Sequence, residues 1–444
     1  MREFDPVAYI NEPRWQEVKP GLERIRELMG KLGDPQKGLR VVHVAGTNGK
    51  GSTCAYVDAI LRAAGFRTGL FTSPYIVEFA ERIRVDGVNI SSEELLACTL
   101  LVREQAQTMD EHPTEFELMT AVALLAFSRA ETDFCVLEVG LGGLLDSTNV
   151  VETPQVCALA PIAKDHMKLL GNTIQRIAAE KAGVIKPGAI VVSAPQTPEA
   201  AEVIRVKAEE CGCELRVVGE CEARVPENAT GAAGATPAPA VPLSQHFDYD
   251  GFPDLQTSLL GTYQPHNAAL AIEIALALCE RGFSIPDEAI REGVAAARWP
   301  GRFEIVAQDP TFVVDGGHNV QGIRALMQSL KTYFPNRPVV FVLGVLADKQ
   351  YPEMVEEIMK AGSVSDRYVC TQPPNPRALP AERLESTIAW TAQDFFGCSL
   401  RPRSWAISDI AQAVGKAREL AGEEGLVVAA GSLYSIGAIL AALR

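Results

Sequence analysis

Val41-Val42-His43-Val44-Ala45-Gly46-Thr47-Asn48-Gly49-Lys50-Gly51-Ser52 is the stretch on which the fold turns. Its first five residues form an almost unbroken apolar run, as expected of a strand covered on both faces. A glycine-punctuated turn follows, and then an amphipathic segment from Thr53 to Ala64. Strand, glycine turn and helix start together make a phosphate cradle. Glycines let main-chain N–H groups approach phosphate oxygens, the helix N-terminus presents a positive dipole end, and Lys50 adds a point charge. The expected ligand is a nucleoside triphosphate, held by Gly46, Thr47, Asn48, Gly49, Lys50, Gly51 and Ser52; the competing reading is a glycine turn with no ligand.

Outward from this loop, short apolar runs recur at Arg67 to Thr72, Phe134 to Gly140, Val156 to Ala160 and Ile190 to Ser193. Helical patterns lie between several of them, as in Glu117 to Ala130 and Thr173 to Ala182. This alternation predicts an α/β fold with a mostly parallel sheet flanked by helices and ligands at the carboxyl ends of strands. Residues 222–245 are rich in Ala, Gly, Pro and Thr and read as a mobile surface insertion. A helix is expected from about Asn267 to Gly282. Arg298-Trp299-Pro300-Gly301-Arg302 then breaks the pattern. The alternation restarts with runs at Thr311 to Val314, Val339 to Leu343, Arg367 to Thr371 and Leu426 to Ala430. The expected organisation is a larger ATP-binding domain over 1–298 and a smaller Rossmann-like α/β domain over 299–444.

A chain of 444 residues exceeds what one hydrophobic core usually spans, and an apolar fraction of 47% supports two. The formal net charge of −15 argues against a general binder of nucleic acid or anionic membrane, because phosphate backbones are bound through basic surfaces. The amino terminus shows no basic-then-apolar signal, and no run reaches the roughly 20 apolar residues of a membrane span, so a cytoplasmic protein is expected. Ten cysteines scattered through apolar strings suit reduced core thiols. Cys211, Cys213 and Cys221 lie close in sequence, but no further Cys or His completes a zinc spacing.

Several residues away from the loop carry potential chemistry. Glu138 closes an otherwise apolar run, and a carboxylate there is costly to bury unless a cation meets it. Its position matches the acidic strand end that holds magnesium in P-loop enzymes, and Ser73, in Thr72-Ser73-Pro74, offers a hydroxyl oxygen. Asp165-His166 and Lys181 follow. Taken alone, that His is more often a core or helix-capping residue and that Lys a solvated one.

Gly46-Thr47-Asn48-Gly49-Lys50-Gly51-Ser52 departs from the common P-loop, with two residues rather than four between its first Gly and the Gly-Lys pair. It resembles the loop of the ATP-dependent Mur ligase superfamily, in its folylpolyglutamate synthase and dihydrofolate synthase branch. Further matches run in family order along nearly the whole chain. They include Leu137 to Gly143, Asp146-Ser147-Thr148-Asn149, Gly261 with Gln264 and Asn267, Pro300-Gly301-Arg302, Asp315-Gly316-Gly317-His318-Asn319, Leu343 to Lys349, and Gly431-Ser432-Leu433-Tyr434.

The resemblance implies magnesium, two ions in number, held by Ser73, Glu138, His166 and a carbamylated Lys181. It also places Asn267 by the adenine, Asp315 at the ribose, Arg302 on the ATP phosphates across the interdomain cleft and His318 beside the reacting phosphate. Lys50, Lys181 and His318 are thus the expected catalytic residues, and Tyr75, Arg82 and Asp165 the expected substrate contacts. The implied reaction joins L-glutamate to the carboxylate of dihydropteroate, of a reduced folate, or of both, through an acyl phosphate, in an enzyme of a commonly monomeric type.

Departures cluster near the implied substrate sites. Tyr75 replaces a usual His, Leu144 a usual Arg, and Tyr263 a usual His; Pro161-Ile162-Ala163-Lys164 replaces an Asn-Ile-Gly-Leu type run, and Gly317 and Val320 replace the usual Ala and Pro. Loss of an Arg removes a charge and a bidentate donor. Two alternatives follow: a Mur-type ligase for another carboxylate, or a nucleotide-binding regulatory protein without catalysis. The former usually carries an additional amino-terminal domain, whereas only about forty residues precede the loop. The latter has no physical need for Lys50, Glu138, His166, Lys181 and His318 together.

Overall fold

The computed structural model describes residues 4–16, 19–224, 244–396 and 403–444. Most of the expected insertion, residues 225–243, lies outside them. The chain divides into two compact units. Unit 1 comprises residues 1–221, 249–251 and 266–297, and unit 2 comprises 222–248, 252–265 and 298–444.

Unit 1 is built on an eight-stranded sheet. Its strands are β1 (Val41–Ala45), β2 (Thr68–Phe71), β3 (Ile83–Val85), β4 (Val88–Asn89), β5 (Phe134–Glu138), β6 (Val156–Leu159), β7 (Ile190–Ser193) and β8 (Leu215–Val217). Their order is β4-β3-β2-β5-β1-β6-β7-β8. The six strands from β2 to β8 across the sheet run parallel, and β3 and β4 add an antiparallel edge. The central strands are buried along their whole length, β1 and β5 at all five positions each. That is why they read as continuous apolar runs rather than as alternating ones.

Two apolar layers sandwich this sheet. One includes Leu118, Val122 and Phe127 of the helix Glu115–Arg129 with Phe71 and Leu137. The other includes Ile177, Ala178 and Ile204 with Leu159 and Val191. The helix Glu115–Arg129 opens on a reciprocal capping box between Thr114 and Glu117. The helix after the glycine loop spans Lys50–Ala63, starting three residues before the expected Thr53, because left-handed Gly49 already serves as its N-cap. Against it packs the helix Asp287–Ala296. A Cβ on Gly293 would run into the main chain of Ile60, so only glycine allows this approach.

Unit 2 carries β9 (Glu222–Arg224), β10 (Gln245–Tyr249) and β11 (Phe252–Thr257) in a three-stranded sheet, although Tyr249 itself falls in unit 1. Its main sheet has β12 (Glu304–Ala307), β13 (Thr311–Val314), β14 (Val339–Leu343), β15 (Arg367–Cys370), β16 (Ser404–Ala406) and β17 (Leu426–Ala430), in the order β12-β13-β17-β14-β15-β16. All neighbours are parallel except β12 with β13. The expected α/β architecture, a larger and a smaller mostly parallel unit, is therefore what the chain forms. The sequence reading did not include β12, β16 or the β9–β11 sheet, which are short or only partly buried. Among the described residues, no helix is long and apolar enough to cross a membrane.

Replacing Gly293 by Ala forces the Cβ against backbone that cannot yield. The expected loss is about 1–3 kcal/mol, read as a lower denaturant midpoint; an unchanged midpoint would show that the two helices are free to separate.

Candidate active site

The glycine loop leaves the carboxyl end of β1, in the middle of the unit 1 sheet. Gly46 has φ +147°, and a Cβ there would lie 2.7 Å from the Cβ of Ala160, so the loop passes directly over the end of β6. The N–H groups of Thr47 and Asn48 donate to the Pro161 carbonyl at 2.9 and 3.3 Å. Thr47 Oγ1 donates to the Ala163 carbonyl at 3.1 Å and accepts the Ala163 N–H at 3.0 Å. The run Pro161 to Ala163 thus seats the loop through its main chain. Asn267, in the helix Gln264–Glu280, lies where a side chain on Gly49 would project, so the structure joins it to the loop.

Glu138 ends β5 one register step from the loop, paired with Val44 of β1. Its carboxylate is buried, accepts the Ser73 N–H at 3.1 Å and lies 3.9 Å from Lys50 Nζ. Lys50, Glu138 and Ser73 therefore come together from the strand ends of β1, β5 and β2. Lys181, near the end of the helix Ile174–Ala182, joins them from the other side by donating to the Gly46 carbonyl at 2.7 Å. Burial, reinforced by the Lys50 charge and opposed by Asp165, Asp146 and Glu180, brings the Lys181 amine down to about 7. Gly143 makes this possible, since a Cβ there would meet the Glu180 and Lys181 carbonyls at 2.8 and 2.9 Å. Asn149 then clips the loop to the end of the Lys181 helix, donating to the carbonyls of Leu144 and Gly183 at 2.9 and 3.2 Å.

Asp165 is buried and caps its neighbour, accepting the His166 N–H at 2.8 Å. His166 adopts a left-handed backbone at φ +49°, and its Nε2 lies 3.9 Å from Asp165 Oδ2. Tyr75 and Arg82 form a cluster of their own. The Arg82 guanidinium stands 4.9 Å from the Tyr75 ring and 5.7 Å from the Phe79 ring. Burial raises the Glu115 carboxyl against the pull of Arg82.

Among the described residues, no three His, Cys, Asp or Glu side chains gather into a metal cage. The oxygen donor at the loop is the hard Glu138 carboxylate, and Ser73, whose N–H that carboxylate accepts, also carries a hydroxyl. Such a sparse set suits magnesium, which commonly binds through one or two carboxylates, retained waters and substrate phosphates. Lys181 fits a metal site only if its amine is converted to an anionic oxygen donor.

Two residues escaped the sequence reading of roles. Asp146 accepts the Leu141 N–H at 2.8 Å and the Thr148 hydroxyl at 2.5 Å, which fixes the loop leaving Glu138. Behind it, His43 Nε2 bonds Thr148 Oγ1 at 2.8 Å from the middle of β1. Because the Thr148 proton goes to Asp146, the His43 Nε2 must donate. Its Nδ1 is buried with no hydrogen-bond partner among the described residues. The only sign of Asp146 in the sequence was its place in Asp-Ser-Thr-Asn; His43 looked like one polar residue in an apolar run.

In unit 2, Asp315 directly follows β13, and its buried carboxylate accepts the Tyr263 hydroxyl at 2.7 Å, the Phe303 N–H at 2.9 Å and the Gly317 N–H at 2.7 Å. Arg302 donates to the Gly301 carbonyl at 3.1 Å and lies against Gly316, where any side chain would collide with its guanidinium. His318 Nδ1 meets the Gly316 carbonyl at 2.8 Å, so that nitrogen carries a proton and donates it.

The Mur ligase middle domain model matches residues 44–275, and the Mur ligase glutamate ligase domain model matches 301–433. A dihydrofolate synthase/folylpolyglutamate synthase of Bacillus subtilis is 38% identical over 438 residues, covering 96% of each chain. The chain belongs to the folylpolyglutamate/dihydrofolate synthase branch of the Mur ligases. Another member, a folylpolyglutamate synthase of Lacticaseibacillus casei, is 38% identical over 87% of this chain and 89% of its own. Among solved structures, Escherichia coli FolC in complex with DHPP and ADP superposes with a TM-score of 0.83 at 29% identity, covering 98% of this chain and 96% of that one. The Mycobacterium tuberculosis folylpolyglutamate synthase complexed with ADP and AMPPCP gives 0.82 at 32% identity, with 98% of both chains covered. This branch of the Mur ligases therefore accounts for both units of the chain.

The neutral His43 links the strand before the loop to pH. Burial, with a smaller push from Lys186, holds its imidazole at about 3 against a usual 6.5. Below pH 6.5 the unfolded chain takes up a proton that the folded one refuses, so this contribution is intact above 6.5 and is lost toward acid. The expected decline is about 1.4 kcal/mol per pH unit at most. His43→Gln, which cannot titrate, should flatten stability against pH between 6.5 and 4; equal slopes in both proteins would mean that His43 protonates in the fold.

Proposed function

We propose that this chain is an ATP-dependent ligase that forms an amide between L-glutamate and the carboxylate of dihydropteroate or a reduced folate, accepting both. The observation that carries the reading is the convergence of Lys50, Glu138, Ser73 and Lys181 on one phosphate-type loop, in a chain whose relatives are named for these two reactions. A carboxylate is a poor electrophile at neutral pH, so amide formation needs activation. A substrate carboxylate oxygen attacks the γ-phosphorus of ATP, ADP departs, and an acyl phosphate results. The glutamate α-amine then attacks the acyl carbon, loses a proton and expels inorganic phosphate.

Lys50 and the N–H groups at the start of the Lys50–Ala63 helix, rather than those of Thr47 and Asn48 that Pro161 engages, neutralise phosphate charge, where phosphoryl transfer gains most of its rate. Arg302 adds a second cation on the phosphates, and His318 lies near the transferring group. Asn267 serves the adenine, and Asp315 keeps one acceptor position for a ribose hydroxyl. Tyr75, Arg82 and Asp165 contact the carboxylate substrate or glutamate. Glu138, Ser73 and His166 would hold magnesium, which would supply Lewis-acid charge neutralisation.

Lys181 completes the set as a carbamate. The nitrogen of its neutral amine attacks the carbon of carbon dioxide and releases one proton, which leaves an anionic oxygen donor. Only a neutral amine can do this. An amine held at about 7 is substantially neutral under physiological conditions, unlike an ordinary lysine.

ADP release with ATP, magnesium and L-glutamate, offering dihydropteroate and tetrahydrofolate separately, tests the reading. Product masses one glutamate heavier are expected from each acceptor; ATP binding without product from either would assign a different carboxylate. Lys181→Ala should reduce kcat by about 100-fold or more, with partial rescue by short carboxylic acids. Unchanged turnover in that variant would remove the carbamate.

A further inference from the structure

The Gly301-Arg302-Phe303 turn has a backbone that needs external support. Phe303 is fully buried and left-handed, with φ +45°, a conformation that a bulky residue enters only under constraint. Three contacts supply that constraint. The Gly316 N–H donates to the Gly301 carbonyl at 2.8 Å on one side of Arg302. On the other side, the Phe303 N–H donates to Asp315 Oδ2 at 2.9 Å. The third is the Tyr263 hydroxyl, which donates to the same Oδ2 at 2.7 Å.

Tyr263 therefore fixes the oxygen that fixes the Phe303 main chain. Two donors on Oδ2 and the Gly317 N–H on Oδ1 leave the carboxylate little freedom to rotate. The Tyr263 ring is also packed in place. Gly261, at φ +101°, offers only hydrogen where a Cβ would stand 3.0 Å from that ring and 3.3 Å from the Phe303 Cβ. The guanidinium of Arg302 is confined in turn by the bare face of Gly316 and by its own bond to Gly301.

We propose that Tyr263 is a positioning residue for Arg302, acting through Asp315 and the Phe303 backbone. The inference rests on the reading that Arg302 contacts the ATP phosphates. Tyr263 touches no reacting atom. Its hydroxyl keeps the turn in the one conformation that aims the guanidinium.

A double-mutant cycle on the purified full chain separates this from a general structural role. Tyr263→Phe keeps the ring and removes the hydroxyl. It should lower kcat/KM for ATP by about tenfold, with KM for glutamate unchanged. Arg302→Ala should lower it by about 100-fold. In the Arg302→Ala background, Tyr263→Phe should cost nothing further, because the group it aims is gone. Full additivity of the two losses would overturn the positioning role. An Arg302→Ala enzyme as active as the wild type would overturn the Arg302 reading instead. If Tyr263→Phe does not fold, Tyr263→Leu, which also removes the hydroxyl and stays apolar, goes through the same cycle and should be equally silent in the Arg302→Ala background.

Discussion

The hydrogen bond from Lys181 Nζ to the Gly46 carbonyl, 2.7 Å long and buried, is the contact on which the rest of the unit 1 site depends. It brings an ammonium-type group out of water and beside Lys50, which is unfavourable for the charged form. The chain tolerates this because everything around the contact is built close. Gly143 lets the loop after β5 lie on the helix end, Asn149 ties the two together, and Asp165 and Asp146 supply compensating charge. A lysine so placed is poised to be neutral, and neutrality is what a carbon dioxide adduct requires.

The departures from the family pattern divide by how they act. Pro161 to Ala163 holds the glycine loop almost wholly by main-chain groups, which do not depend on side-chain identity. Leu144 works the same way, donating its N–H to the Glu180 carbonyl and accepting from Asn149, while its side chain is partly exposed. Such positions can change residue type without moving the loop. Tyr263 is different, because its side chain makes the contact. Asp315 shows the same economy in unit 2: one carboxylate orders three separated backbone or side-chain donors and so fixes a strained turn.

The strands of both sheets were legible where burial on two faces makes an apolar run, as at β1, β5, β13, β14 and β17. β12 and β16 were not, since partial burial leaves no continuous run and three or four residues carry no periodicity. Strand order was equally hidden. Nothing local says that β5 inserts between β2 and β1, or that β17 inserts between β13 and β14.

By itself the sequence determined the phosphate loop, the α/β class, the branch of the Mur ligases and the identity of the polar residues at the strand ends. These are local properties: a glycine spacing, an apolar run, an acid where a strand stops. Only the tertiary structure decided which of those groups meet, and in what ionisation state. Lys181 and Gly46 are 135 residues apart, His43 and Thr148 105, and Tyr263 and Asp315 52. The lowered basicity of Lys181 and His43 comes from burial, and burial is created only when distant segments close over a side chain and exclude water from it.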